Sequence, residues 1–329
     1  MSKSFTQTKE YLSWHNSVGT KTFYKEFFAK GVSPDFQLDG ESEKEILASV
    51  ACVVLELRIG KVLYLPYGPV FQKGATVKDK RKVVEEIYEL GKKEGCVFVR
   101  LEAEVFGKSE VGGFKPPVKS FAREGIFQPR LEWWLDIHDE EENIFNRFSK
   151  NTRYSIRRAE KEDVETFVVD HNFKEYFKSF IELMKETSER GGYILYDQEY
   201  FQAVFNSLEH KRLKGFLVVS KIDDMVVSMA LVIVEGGVAS YVFGGSRDYK
   251  RELGSSFKTQ WEAIKKSKSL GAKIYNFGGI TDGVYGKPSI LGVTKFKQQF
   301  GGYAKHHGGF LDLPISRIKY FLYILRKMI

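Results

Sequence analysis

The chain of 329 residues has room for about two domains, since a domain averages roughly 150 residues. Its hydrophobic share of 43% and aromatic share of 15% exclude a disordered protein and indicate substantial cores. The net charge of +8 favours a partner carrying phosphate, nucleic acid or anionic lipid, although surfaces without such a partner also reach this charge. No signal peptide and no apolar run of about 18 residues is present, so we expect a cytoplasmic protein.

The first third of the chain predicts an α/β layer. Thr20–Gly31 has aromatic residues at helical spacing and lysines between them, which predicts a helix. Residues 48–60 and 61–71 are apolar runs that predict two strands joined by a glycine turn. Lys78–Glu94 has the apolar stripe of an amphipathic helix, and Cys96–Glu102 predicts another strand.

The middle of the chain contains a loop, a strand and three helical segments. Residues 107–118 predict a loop and residues 120–127 a short helix. Arg130–Ile137 alternates like a half-buried strand, and Asp139–Ser149 predicts a helix with acidic residues in its first turn.

A densely basic segment follows, from Ser149 to Lys161. On a helix, Lys150, Arg153, Arg157 and Lys161 share one face. Two interpretations stay open for this face: a solvated helix surface, or a stripe that binds phosphates.

The second half predicts two further helices, a hairpin and a terminal helix. Asn172–Glu189 and Asp197–Leu208 have amphipathic spacing, and residues 215–235 predict a hairpin. Phe310–Leu313 predicts a last strand, and Ile315–Ile329 an apolar helix with four basic residues. This helix is too short to cross a bilayer, and we expect it to pack on the fold, with membrane-surface contact as the alternative.

One stretch has the spacing of a β-α-β unit. It combines a strand at Val238–Phe243, a helix starting near Leu253 and a strand at Lys273–Phe277. Each strand ends in a glycine pair, Gly244-Gly245 and Gly278-Gly279. Glycine pairs let a backbone turn sharply or approach a ligand closely, so we predict a ligand-binding unit. The turn Arg251–Ser256 partly matches the coenzyme A turn of GNAT acyltransferases.

The chemistry-bearing motifs are few. Cys52 and Cys96 lie in apolar runs without the spacing of a disulfide framework or a zinc site. The sequence has no nucleophile elbow, HExxH helix or Walker loop, and His306-His307 has no partner at ligand spacing. We therefore expect neither a metal nor covalent catalysis.

Short motifs follow one another in order along most of the chain, from about Thr20 to Gly302. They are Tyr67-Gly68-Pro69, Val99-Arg100-Leu101-Glu102, Pro129-Arg130 with Leu135-Asp136, Lys150-Asn151-Thr152-Arg153, Ile156-Arg157-Arg158-Ala159, Glu189-Arg190, Phe243-Gly244-Gly245-Ser246, Gln260-Trp261-Glu262, Asn276-Phe277-Gly278-Gly279-Ile280, and Phe296-Lys297 with Phe300-Gly301-Gly302. In this order they resemble the Fem family of aminoacyl-tRNA-dependent peptidyltransferases, which build peptidoglycan cross-bridges.

The resemblance implies an α/β (α+β) fold of two tandem GNAT-like domains, with mixed sheets flanked by helices and no helical-hairpin arm. The domains are expected at residues 1–137, completed by 304–329, and at residues 138–303. The implied enzyme is a monomeric aminoacyltransferase that uses aminoacyl-tRNA as co-substrate and no cofactor. It would extend the stem-peptide amine of a peptidoglycan precursor, either lipid II or the UDP-linked form, in the cytoplasm, with peripheral contact to the inner membrane face left open.

The resemblance also implies roles for particular residues. Lys297, preceded by Phe296, matches the family's catalytic lysine, whose ammonium would stabilise the oxyanion formed when an amine attacks the aminoacyl ester. The residues implied to bind substrate are Glu102, Tyr200, Tyr241, Phe243, Arg100 and Tyr196. Those implied to bind tRNA are Lys150, Arg153 and Arg157.

Three positions depart from the family's pattern. Tyr196 stands where a minimal cytoplasmic member has an arginine for the precursor phosphates, Phe243 replaces a tyrosine, and Glu102 replaces an aspartate. The choice of precursor is therefore open. Two other functions also stay open: an N-acyltransferase that uses acyl-CoA, suggested by the Arg251–Ser256 turn, and a non-catalytic binder of RNA or anionic membrane.

Overall fold

The computed structural model describes residues 4–28, 46–102, 128–192, 194–284, 288–307 and 310–328. The predictions for the 107–118 loop and the 120–127 helix lie outside the described residues. The helices are α1 (Lys9–Ser17), α2 (Val77–Lys93), α3 (Glu141–Asn146), α4 (Lys150–Lys161), α5 (Phe177–Gly191), α6 (Gln198–Glu209), α7 (Ser255–Ser269), α8 (Leu291–Gln298) and α9 (Arg317–Met328). The strands are β1 (Thr22–Phe28), β2 (Ile46–Leu57), β3 (Gly60–Leu65), β4 (Val70–Phe71), β5 (Phe98–Leu101), β6 (Leu131–Asp136), β7 (Glu165–Val169), β8 (Gly215–Ile222), β9 (Met225–Glu235), β10 (Val238–Ser246), β11 (Ile274–Gly279), β12 (Tyr303–His306) and β13 (Leu311–Pro314).

The chain divides into two compact units. The first contains the described residues of 6–128 and 307–328, and the second those of 4–5 and 129–306. The boundary predicted after Ile137 therefore comes too late, because β6 pairs with β11 and β12 in the second unit's sheet. Tyr303–His306, predicted mostly with the first domain, also belongs to that second sheet as β12.

The first unit is built on a six-stranded sheet in the order β1-β2-β3-β5-β13, with β4 paired to β2. Among its described strands, only β3 and β5 run parallel, in a register that sets Leu63 beside Val99 and Val62 beside Phe98. Successive strand residues face opposite sides. Leu63 and Val99 accordingly pack in the core that includes α2. Val62 and Phe98 pack in a second core with the terminal helix α9.

The predicted helix at Thr20–Gly31 is wrong over its described part, which forms β1. This strand pairs antiparallel with β2, and Phe23 and Phe27 both contact the α2-side core. A spacing of four residues fits one face of a helix and equally one face of a strand. The neighbouring strand β2 supplies the hydrogen-bonding partner that decides between them.

The second unit is built on a seven-stranded sheet in the order β12-β6-β11-β10-β9-β8-β7. Within the described part of this sheet, only β10 and β11 run parallel, and they are joined through α7 as the sequence predicts. The main core holds Phe148 after α3, Ile156 of α4, Trp261 and Ile264 of α7, and Phe277 of β11. Helix α6 is the element that directly precedes β8.

Candidate active site

The two parallel strands of the second unit separate after a short pairing. Val238–Ser240 of β10 pairs with Ile274–Asn276 of β11, and no later pair joins the described residues of these two strands. Beyond this point β10 stays paired with β9, and Gly279 of β11 pairs with Glu132 of β6. The hydrogen-bonded ladder between β10 and β11 thus ends before Gly278, and the last residue of β11 pairs with β6 instead.

Lys297 lies at the end of β11. Its Nζ donates a hydrogen bond to the Gly279 carbonyl oxygen at 2.7 Å. Gly278 has a φ of +78°, and the Lys297 Nζ lies 3.8 Å from the place that a Cβ of residue 278 would occupy. The Lys297 residue is only 7% exposed, and burial lowers its pKa to about 8, with the negative charge of Glu132 acting in the opposite direction. A buried ammonium that is still mostly charged at neutral pH is suited to meet developing negative charge.

The Glu132 carboxylate was not anticipated from the sequence. It is buried, and accepts hydrogen bonds from Asn276 Nδ2 at 3.0 Å and from Trp134 Nε1 at 3.1 Å. The Asn276 Oδ1 in turn accepts from the Gly278 N–H at 2.7 Å. This network fixes the end of β11, to which the Lys297 ammonium is bound. A single buried glutamate in a strand does not produce a periodic sequence pattern. Its position between apolar residues was therefore the only sequence signal that could have identified it.

Helix α8, which contains Lys297, is fastened at both ends. Near its start, Thr294 Oγ1 accepts from the Thr281 N–H at 3.0 Å. After its end, the Gln299 carbonyl accepts from the Ser149 N–H at 2.8 Å and from Thr152 Oγ1 at 3.1 Å. The start of α4 therefore holds the end of α8, and the motif that begins at residue 150 gains a structural role.

The glycines that follow α8 are required by close packing. Gly301 and Gly302 both have positive φ values, +72° and +98°. A Cβ at residue 302 would clash with the Trp134 carbonyl oxygen, and one at residue 301 would lie 2.9 Å from the Arg147 carbonyl oxygen. Trp133 Nε1 donates to the Gly301 carbonyl at 2.6 Å. The terminal Phe-Gly-Gly of the Lys297 motif thus anchors the segment that contains Lys297.

Phe296 has a packing role, which differs from the catalytic role implied by the resemblance. Its ring lies 5.0 Å from Phe257 and 5.4 Å from Phe300, between ring centroids. Aromatic contacts of this kind hold neighbouring backbone in place. We assign Phe296 to the positioning of Lys297.

Three residues predicted to bind substrate come together around the start of α6. Tyr196 stacks on Tyr200, with ring centroids 4.2 Å apart and planes 12° apart, and Phe243 lies 6.2 Å and 6.5 Å from the two rings. Tyr200 is buried, whereas Tyr196 is 51% exposed. An exposed aromatic face over a buried one is a surface that a ligand can cover.

The first glycine pair serves packing, which differs from the ligand contact expected at Gly244-Gly245. A Cβ at residue 244 would meet the Tyr241 ring and hydroxyl at 2.6 Å, and one at residue 245 would clash with Thr187 of α5. Tyr241, predicted to bind substrate, also packs against the main core of the second unit. The pair therefore admits α5 and Tyr241 close to β10.

The Arg251–Ser256 turn has a similar explanation. Gly254 has a φ of +79°, and a Cβ there would clash with the Ser155 carbonyl oxygen of α4. The close approach of α4 to α7 accounts for this glycine. The turn therefore gives the coenzyme A hypothesis no separate support.

The predicted tRNA-binding residues are on one helix but differ in what they contact. Lys150 and Arg157 are exposed, and the Arg157 guanidinium lies 5.4 Å from the Phe145 ring centroid. Arg153 Nη1 donates to the carbonyl oxygens of Asn146, at 2.9 Å, and Phe148. Arg153 thus stabilises the end of α3, which is a structural role.

In the first unit, Glu102 lies beside Tyr64. The Tyr64 hydroxyl donates to Glu102 Oε2 at 2.5 Å. Burial raises the pKa of the Glu102 carboxyl to about 7, although the Tyr64 hydrogen bond and the charge of Arg100 act to lower it. Glu102 can therefore change its charge near neutral pH, which suits a group that recognises a cationic or amide part of a substrate.

Arg100 was predicted to bind substrate, but in the structure its guanidinium has a structural role. Its Nε and Nη2 donate to the two carboxylate oxygens of Asp312 at 2.7 Å and 2.9 Å, and Nη2 also donates to the Tyr323 hydroxyl at 3.1 Å. Both charged residues are almost fully buried. The pair joins β5 to β13 and therefore holds the C-terminal segment in the first unit.

Because the pKa of Glu102 is raised, we predict that Glu102→Gln increases the stability of the fold by an amount that depends on pH. Folding favours the protonated acid, so wild-type stability falls as pH rises from about 4.5 to about 7, and the full cost is present above pH 7. We expect the variant to be more stable than the parent by about 1–3 kcal/mol at alkaline pH, and nearly equal in acid. Urea melts at both pH values test this, with the exposed Glu89→Gln as control; an equal gain at both pH values would contradict it.

The sequence profile of the FemAB family matches residues 119–224 and 208–327. The chain belongs to the FemAB family. This FemAB protein is 24% identical over 316 residues to a lipid II:glycine glycyltransferase of Staphylococcus haemolyticus strain JCSC1435, over 73% of this chain and 74% of that one. It is 22% identical over 352 residues, 82% of each chain, to the protein of the same name in Staphylococcus aureus strain USA300.

Solved structures confirm the fold. A crystal structure of FemX superposes with a TM-score of 0.77 at 19% identity, covering 98% of this chain and 94% of that one. A tandem GNAT protein from the clavulanic acid biosynthesis pathway superposes with a TM-score of 0.50 at 10% identity, covering 89% and 83%. The predicted family and the predicted mixed α/β, tandem GNAT-like fold are both confirmed.

Proposed function

We propose that this FemAB protein transfers an amino acid from aminoacyl-tRNA to the stem-peptide amine of a peptidoglycan precursor. The names of its staphylococcal relatives specify glycyl transfer to lipid II, which supports an acceptor of this class. The observation that carries the proposal is the Lys297 ammonium at the end of β11, where β10 and β11 separate.

The reaction is the aminolysis of an ester. A neutral amine attacks the aminoacyl carbonyl carbon, negative charge collects on the carbonyl oxygen, and the ribose hydroxyl leaves as the new amide bond forms. The protein must then align the reactants and place a cation near the oxyanion. With a pKa of about 8, Lys297 is mostly charged at neutral pH and can supply that cation.

In this proposal, binding roles are assigned to residues of each unit separately. The exposed Lys150 and Arg157 of α4 would contact phosphates of the tRNA. The buried Glu102 with Tyr64 would recognise part of the precursor, and the Tyr196 ring would cover an apolar part of a substrate. Arg100 takes no part, because its guanidinium is committed to Asp312.

The donor can be tested directly. Wild-type protein is incubated with the precursor, in lipid-linked or UDP-linked form, and with either charged tRNA or acyl-CoA. We expect the precursor to gain the mass of one or more aminoacyl residues with charged tRNA only. Product formed with acyl-CoA and none with charged tRNA would replace the proposal with the N-acyltransferase alternative.

The role of α4 in binding tRNA predicts a change in salt dependence. Replacing Lys150 and Arg157 together by Gln should weaken tRNA binding and lower the slope of log K against log salt by roughly 0.7–0.9 for each lost phosphate contact. Filter binding at several salt concentrations measures it. Lys178→Gln with Lys185→Gln, exposed on α5, removes the same charge and should leave the slope unchanged. Equal slopes in the parent and the α4 variant would show that the basic face of α4 is a solvated helix surface that does not bind tRNA.

A further inference from the structure

The terminal helix α9 has one side fixed to the fold. Tyr320 and Tyr323 are buried against Phe98, with ring centroids 5.2 Å and 5.0 Å from its ring. The Tyr320 hydroxyl donates to Asp312 Oδ2 at 3.0 Å, and the Tyr323 hydroxyl accepts from Arg100. Both tyrosines are therefore tied to the buried ion pair, which sets the rotation of α9 about its axis.

The opposite side of α9 presents an apolar stripe to solvent. Ile318 is 76% exposed and Phe321 60% exposed, and Leu322 and Leu325 are exposed as well. These four positions have the i, i+3, i+4, i+7 spacing of a single helix face. We call this stripe the α9 outer face. Its rotation is fixed by the tyrosines, so the face cannot turn inward without breaking the ion-pair network.

Basic residues accompany the α9 outer face. The helix contains four basic residues and no acidic one. Arg317 and Lys319 are exposed and lie about 100° to either side of Ile318, which places them along the two edges of the stripe. The apolar stripe is therefore bordered by exposed basic side chains.

We propose that the α9 outer face docks on the surface of an anionic lipid bilayer. An amphipathic helix with apolar side chains on one face and cations along its edges lies in the interface, with the apolar chains among acyl groups and the cations at lipid phosphates. A second copy of the chain is a poorer occupant, since pairing two such faces would bring two sets of basic residues together. The biological role of this docking rests on the proposed function. A protein held at the bilayer would favour the lipid-linked precursor over the UDP-linked one.

Vesicle binding by the full chain, without substrates, tests the proposal. We expect co-sedimentation with vesicles of phosphatidylcholine mixed with phosphatidylglycerol, and much weaker co-sedimentation with phosphatidylcholine alone. Phe321→Ser with Leu325→Ser should abolish binding to the mixed vesicles, and the control Val77→Ser, which is exposed on α2, should not. Arg317→Gln with Lys319→Gln should weaken the partition coefficient roughly fivefold per charge, unlike Lys73→Gln with Lys78→Gln.

Other outcomes would overturn it. Absence of binding by the parent, or equal binding by the α9 variants, removes the bilayer as partner. Self-association in sedimentation velocity that the Phe321 and Leu325 changes abolish, without vesicle binding, would assign the face to a second copy instead. Melting curves and transfer to the UDP-linked precursor report folding and activity separately, so a failed transferase assay leaves the vesicle result interpretable.

Discussion

Lys297→Met is expected to lower the single-turnover rate of transfer by about 10²-fold at neutral pH, the usual loss for one oxyanion donor. The loss should fall on the rate constant of transfer and leave precursor binding nearly unchanged, because the contact with the oxyanion forms mainly in the transition state. Purified precursor and charged tRNA in a rapid-quench assay measure both quantities. A rate within about threefold of the parent would show that the ammonium does not act on the oxyanion.

The same change should not lower stability. Folding depresses the pKa of Lys297 from 10.5 to about 8, so the buried ammonium costs about 3 kcal/mol below pH 8, and this cost disappears as pH rises toward 10.5. Methionine removes the cost and loses one hydrogen bond to the Gly279 carbonyl, worth about 1 kcal/mol. We therefore expect an equal or higher melting temperature at neutral pH. A matched exposed control, Lys295→Met on the same helix, should change neither the rate nor the stability.

The second large effect is expected at the buried ion pair of the first unit. Asp312→Ala leaves the Arg100 guanidinium buried without its carboxylate and should lower the free energy of unfolding by about 3–5 kcal/mol. Denaturant unfolding of the parent and of the variant measures this difference in the free energy of unfolding. The double change Arg100→Met with Asp312→Leu removes both charges, and we expect it to recover most of the loss. A cost below about 1 kcal/mol for Asp312→Ala would mean that the pair does not hold the C-terminal segment.

Much of the fold could be predicted because local pattern and tertiary partner agree. The β10-α7-β11 unit combines apolar strands, an amphipathic helix and glycine turns, and the structure reproduces it. The helix predicted over Thr20–Gly31 was wrong, and its described part forms β1, because a four-residue aromatic spacing fits helix and strand alike. β12 was missed because Tyr303–His306 is largely polar, and only its pairing with β6, far earlier in the chain, makes it a strand.

The candidate site was less predictable for a related reason. Lys297 was found through its motif, whereas its depressed pKa depends on burial that no local pattern shows. Glu132 and its bond to Asn276 join residues 144 positions apart. Arg100 was assigned to substrate because its motif matched, but its partner Asp312 lies 212 positions later. A residue whose role depends on a partner far away in the sequence can be assigned that role only from the three-dimensional structure.

The pH dependence of single-turnover transfer from charged tRNA tests the role of Lys297 most directly. The attacking amine must be neutral, so the rate should rise with pH at first. The wild-type rate should then level off as Lys297 loses its proton near pH 8, because the falling charged fraction of Lys297 offsets the rising fraction of neutral amine, whereas the rate of Lys297→Met should continue to rise. A wild-type rate that continues to rise through pH 8, in parallel with the variant, would contradict a catalytic ammonium at this position.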